Sequence, residues 1–81
     1  MLKVYGSIQC PDCVQCKHDL DKAGVAYTFF EFSESLLHLK TFLQYRDSLP
    51  VFVQVKENGS IGIPCIVDED GSVTLDWEQY L

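Results

Sequence analysis

The sequence predicts one mixed α/β domain, and three observations carry that prediction. First, an apolar run, Leu2-Lys3-Val4-Tyr5, is followed by an amphipathic stretch and then by Val25 to Phe32, rich in β-branched and aromatic residues; this reads as strand, helix, strand. A βαβ unit of this kind crosses over right-handed and leaves its two strands parallel. Second, Cys65-Ile66-Val67 and Ser72 to Leu75 flank Asp68-Glu69-Asp70-Gly71, the pattern of an antiparallel hairpin around a turn. Third, the chain has only 81 residues, enough for one core that buries little more than about 60% of the extended surface. Together they describe a four-stranded mixed sheet (βαβα-ββ) flanked by helices, a single domain spanning residues 1–81.

Taken in order, Leu2 to Tyr5 forms the first strand and Gly6-Ser7-Ile8-Gln9 a loop. Residues 11 to 23 form a helix, with Val14, Leu20 and Ala23 among its apolar positions and Gly24 just past its end. Val25 to Phe32 is the second strand. Ser33 is placed to cap a second helix that runs to about Asp47, whose Leu36, Leu37, Leu39, Phe42 and Leu43 read as core packing. Pro50-Val51-Phe52-Val53-Gln54-Val55 is ambiguous: its alternation favours a strand, whereas Ser48 with Pro50 before it and Asn58-Gly59 after it favour a short helix. Ile63-Pro64 leads into the third strand, Cys65 to Val67. The terminal Asp76 to Leu81 is long enough for about one helical turn, with Trp77 and Tyr80 covering an edge of the core.

Composition excludes several functions. Six Lys and Arg face twelve Asp and Glu, a net charge of −6, the opposite of a nucleic-acid surface. No apolar run approaches the roughly 18–20 residues of a membrane span. Met1 runs straight into a strand, so a cytoplasmic protein without a signal peptide is expected, in a compartment where thiols stay reduced. A monomer is expected. The acidic turn at Asp68, Glu69 and Asp70 lacks the ligand spacing of a calcium loop.

The chemistry centres on Cys10-Pro11-Asp12-Cys13. Two cysteines separated by two residues, between a strand and a helix, read as a thiol–disulfide pair. Cys10 falls at the helix N-cap, with Pro11 at the first helical position, where its missing N–H costs nothing. Free backbone N–H groups and the positive end of the helix dipole stabilise a thiolate at such a position, which lowers a cysteine pKa from about 8.5 to about 3.5–7.5. Cys13, one turn on, is placed to resolve a mixed disulfide on Cys10.

These residues carry a resemblance. Val4-Tyr5-Gly6-Ser7 before Cys10-Pro11-Asp12-Cys13, joined to Gly62-Ile63-Pro64-Cys65 before the hairpin, resembles the glutaredoxins and, more narrowly, the short bacterial and archaeal glutaredoxin-related proteins. The likeness spans essentially the whole chain. It implies a thioredoxin fold, a cis peptide bond at Pro64, and a short helix over residues 50–57. It also implies a dithiol disulfide oxidoreductase that reduces protein or glutathione mixed disulfides, with Cys10 as nucleophile and Cys13 as resolving thiol. Gln9, Pro11, Asp12, Ile63 and Pro64 would shape the substrate groove. A cellular thiol, glutathione among them, would be the reductant, with no tightly bound cofactor. The chain departs from the family where glutathione is held. Ser7 stands near the place of a lysine, Thr74-Leu75 replaces a Gly-Gly pair, and Asp12 replaces a common aromatic. Protein disulfides are therefore the preferred substrate.

Two further cysteines complete a set of four and open other readings. The alternative function is a metal or iron–sulfur binding or delivery module using Cys10 with Cys13, Cys16 or Cys65. Against it, Cys10 and Cys16 on a helix are separated by about 9 Å of rise, whereas sulfurs on one tetrahedral zinc lie about 4 Å apart. The iron–sulfur run with a fourth cysteine four residues on also fails, because residue 20 is Leu20. Cys16 reads as a small apolar residue on the buried helix face. Cys65 is either a small strand residue or a third redox thiol beside the pair. His18, His38 and Lys17 are expected at the surface or its boundary.

Overall fold

The computed structural model describes residues 1–81. Four strands form one sheet in the order β2-β1-β3-β4: β1 (Leu2–Gly6), β2 (Tyr27–Glu31), β3 (Cys65–Val67) and β4 (Val73–Thr74). β1 and β2 are parallel, with Val4 opposite Phe29. β1–β3 and β3–β4 are antiparallel, with Val4 opposite Ile66 and Ile66 opposite Thr74. The sheet is thus mixed, with the βαβ unit at one edge and the hairpin at the other. No helix is long and apolar enough to cross a membrane.

Side-chain alternation splits the core between the two faces of the sheet. On one face Leu2, Val4 and Ile66 pack with Cys16 and Leu20 of α1 (Pro11–Lys22), and Trp77 and Tyr80 close the edge. The closing residues are pinned by polar contacts: Trp77 Nε1 donates to Asp19 at 2.9 Å and the Tyr80 hydroxyl to Asp68 at 3.1 Å. On the other face Tyr5, Cys65 and Val67 pack with Phe42 of α2 (Leu36–Ser48) and with Phe52. Phe52 ends a 3-10 turn, Pro50–Phe52, that runs into the short helix α3 (Val53–Glu57). The 50–57 stretch is therefore helical in spite of its β-branched residues. Pro50 at the start of the turn and Gly59, at φ +72°, just past α3 supply the start and stop.

α1 forms as its ends dictate. Cys10 has extended N-cap dihedrals (φ −96°, ψ 121°) and Pro11 opens the helix. Cys13, Cys16 and Leu20 make its buried stripe, so Cys16 is the apolar residue its position implies. Gly24, at φ +72°, turns the chain into β2.

The structure departs from the sequence expectation in four places. β2 is Tyr27–Glu31 rather than residues 25 to 32, and β4 is Val73–Thr74 rather than Ser72 to Leu75. The cap of α2 is Ser35, whose hydroxyl accepts from the Leu37 N–H at 3.2 Å. Ser33 is unavailable as a cap because it is bonded to Glu31. Most of the leucines of α2 also miss the core. Phe42 is buried, with Leu39, Tyr45 and Leu49 packed beside it, while Leu36, Leu37 and Leu43 are exposed at 79%, 66% and 38%. At about 100° per residue, Leu37 lies roughly 140° around the helix from Phe42 and Leu36 roughly 120°. Only one side of the helix faces the sheet.

Candidate active site

The loop between β1 and α1 delivers Cys10. Ser7 is its pivot: its carbonyl accepts from the Cys10 N–H at 3.0 Å and its hydroxyl from the Gln9 N–H at 3.2 Å, a turn closed between residues i and i+3. Cys10 is half-exposed, and no side chain caps the helix it begins. Cys13 is completely buried one turn on. Burial pushes its thiol up to about 12; the Ser7 backbone opposes the shift, and Cys10, its hydrogen-bonding neighbour, adds to it. A Cβ at Gly6 would lie 2.5 Å from the Cys13 sulfur, so glycine at the end of β1 is what lets this thiol pack against the sheet.

Cys10 opens onto a groove of about 540 Å³. Ser7, Gln9 and Cys10 form one wall, Phe32 and Ser33 a second, Ile61 and Ile63 a third. A smaller hollow of about 310 Å³ lies on the other side of Cys10, reaching Asp12 and the Gly59–Ile63 loop. Ile63 borders both, and the Ile63–Pro64 peptide bond is cis. The structure thus brings Cys10, Cys13, Gln9, Pro11, Asp12, Ile63 and Pro64 to one end of the sheet.

Cys65 does not join them. It is fully buried on the α2 side of the sheet, opposite Tyr5, and lines neither hollow. Burial pushes its thiol up to about 12. Cys16 sits on the other face of the sheet, and burial, then the nearby Asp19 carboxylate, push it to about 12 as well. No three Cys, His, Asp or Glu side chains gather in a form able to hold a metal ion. Lys17 lies over the Phe29 ring at 4.5 Å, and His38 Nδ1 meets the Glu31 carbonyl at 2.9 Å.

Comparison with known proteins adds one relationship. An uncharacterized protein of Haemophilus influenzae is 42% identical over 67 residues, which cover 83% of this chain and 78% of the relative. The chain belongs to the family of that protein. No family model and no solved structure matches it.

Two residues of this site carry no motif. Glu31, only 5% exposed, ends β2 beneath the groove. Its carboxylate accepts from the Ile8 N–H at 2.7 Å and the Ser33 N–H at 3.1 Å. Burial works against its ionisation, but these bonds and those from the Ser7 and Ser33 hydroxyls hold it below the ordinary carboxylate range. Arg46, on α2, donates to the Ile61 carbonyl at 2.7 Å and the Ser60 carbonyl at 2.8 Å, fixing the third wall. In that wall, a Cβ on Gly62 (φ +93°) would lie 2.9 Å from the Phe52 ring.

The buried thiols set an alkaline limit. Cys13, Cys16 and Cys65 stay protonated in the folded chain up to about pH 12, whereas in the unfolded chain they ionise near about pH 8.5. Above that value the unfolded state binds fewer protons, so stability is complete below it and falls as pH rises toward the folded values. Urea midpoints measured at several pH values are expected to fall steadily above about pH 8.5. Replacing Cys65 by alanine is expected to flatten that decline; an unchanged slope would contradict the assignment.

Proposed function

We propose that this protein is a thiol–disulfide oxidoreductase, glutaredoxin-like in its thioredoxin fold, acting through Cys10 and Cys13. One observation carries the reading: an accessible cysteine at a helix N-terminus sits in a groove, with a buried cysteine one turn behind it and a cis-proline loop beside it. The asymmetry in burial divides the roles. Cys10 can be reached by a substrate sulfur; Cys13, buried and held protonated, cannot.

In the first step the Cys10 thiolate attacks one sulfur of a substrate disulfide. A Cys10–substrate bond forms, the substrate S–S bond breaks, and the other sulfur leaves as a thiolate that takes up a proton. In the second step Cys13 loses its proton and attacks the Cys10 sulfur. The Cys10–Cys13 bond forms and the second substrate thiol leaves. Two electrons pass from the dithiol to the substrate, and an external thiol reductant such as glutathione or a dithiol protein restores the pair.

The test is disulfide mapping. The protein is oxidised with a mild disulfide, its remaining thiols are alkylated, and its peptides are sequenced by mass. The expected product holds one bond, Cys10–Cys13, with Cys16 and Cys65 alkylated after unfolding. A product joined through Cys16 or Cys65, or no intramolecular bond at all, would refute the assignment.

A further inference from the structure

The groove beside Cys10 has a definite charge character. Apart from Cys10, the reacting thiol, none of the seven residues around the larger hollow has an ionisable side chain. The smaller hollow has one charged residue, the Asp12 carboxylate. A second carboxylate, Glu31, lies beneath the larger hollow and is bonded to Ile8 and Ser33. None of the chain's six Lys and Arg lines either space. Arg46, on the outer side of the Ser60–Ile61 wall, commits its Nε and one Nη to two carbonyls. The molecule as a whole carries −6.

Shape adds a direction. The two hollows share Cys10, Ile61 and Ile63, so the thiol lies between them rather than at the end of one. Ile8 and Ile61, near the thiol, are exposed at 60% and 58%. The backbone N–H and C=O of Ile63 have no partner in the fold, leaving a donor and an acceptor open for an extended chain laid alongside.

We propose that the substrate is an extended polypeptide segment, apolar next to its cysteine and basic on the side that meets Asp12, in preference to glutathione. This rests on the dithiol reading above and gives it a substrate class. Glutathione brings two carboxylates and a single ammonium, and neither hollow offers a cation to receive a carboxylate. A peptide crossing both hollows places apolar side chains on Phe32, Ile61 and Ile63 and a Lys or Arg at Asp12. The negative field of the molecule steers the same peptide in and turns an anionic one away.

The fully reduced protein, in single turnover, is mixed with mixed disulfides that share one leaving thiol. Their other half is an apolar peptide with Lys beside its cysteine, the same peptide with Glu there, or glutathione. Loss of protein thiol is followed in time. The Lys peptide is expected to react about tenfold faster than the Glu peptide at low ionic strength, with glutathione also slower than the Lys peptide. The ratio is expected to shrink toward one near 1 M salt and to fall severalfold in Asp12→Asn. Equal rates for the two peptides, or glutathione as the fastest substrate, would overturn the proposal while leaving the oxidoreductase in place. If none of the three reacts faster than it does with Cys10→Ser, the oxidoreductase reading itself fails.

Discussion

Cys10→Ser is expected to abolish disulfide exchange, lowering the rate by at least about 10³-fold, whereas Cys13→Ser stops the reaction with the substrate still attached. The difference follows from where the sulfurs sit. Cys10 alone is accessible, and a hydroxyl in its place is a poor nucleophile that forms no stable bond to sulfur. Cys13 lies completely buried behind it, so its loss leaves the first step intact and removes the second. Intact-mass measurement after mixing with a peptide disulfide separates the variants. Cys13→Ser should gain the mass of the substrate half, Cys10→Ser should gain nothing, and the wild type should lose two hydrogens to an internal disulfide. An adduct on Cys10→Ser would show that another thiol is the nucleophile. Both variants are expected to fold, because Cys10 is half-exposed and serine at residue 13 is smaller than cysteine. Cys13→Ala gives the same reading without a buried hydroxyl.

The elements with strong local signals were legible from the residues alone. β1, α1 and β2 are marked by an apolar run, a Cys-Pro helix start and Gly24, and all three are present with ends shifted by a residue or two. The hairpin is marked by an acidic turn ending in Gly71, whose N–H bonds to the Asp68 carbonyl at 2.9 Å. Where signals competed, tertiary packing decided between them. Ser33, the cap expected from the sequence, is held by a carboxylate two residues earlier, and Ser35 caps the helix in its place. Leu36 and Leu37 look like core until the helix is rotated onto the sheet, when Phe42 takes the buried side. Cys65 stands next to Pro64 in sequence, yet strand alternation turns it to the face packed by Phe42 and Phe52, away from the hollows. Arg46 reaches its two carbonyls 14 and 15 residues away, a contact no local pattern announces.

Glu31 is the residue whose loss should disturb the site most without touching a sulfur. It ends β2 and is buried, though no sequence motif marks it. Its two oxygens tie the loop that carries Cys10 to the loop that carries Ser33, so two walls of the groove are held by one carboxylate. Glu31→Ala leaves the Ile8 and Ser33 N–H groups without an acceptor. Both donors are only part-buried, which keeps each loss at the low end of about 1–3 kcal/mol; a total of about 2–3 kcal/mol lowers Tm by roughly 10–20 °C in a domain of this size. Glu31→Gln keeps one acceptor oxygen but turns an NH2 toward the other donor, so its cost is about half as large. The pH dependence gives a second signature. Because the folded carboxyl is held below its ordinary value, its contribution is complete above about pH 4.3 and is lost as pH falls through the folded value. Glu31→Gln should remove that share of the acid sensitivity, which simple loosening of the fold would not do. In disulfide exchange, KM should rise more than kcat falls, since the thiols stay in place while the groove walls part. If urea unfolding between pH 3 and 7 is the same for Glu31→Gln as for the wild type, the carboxylate is not what joins the two loops.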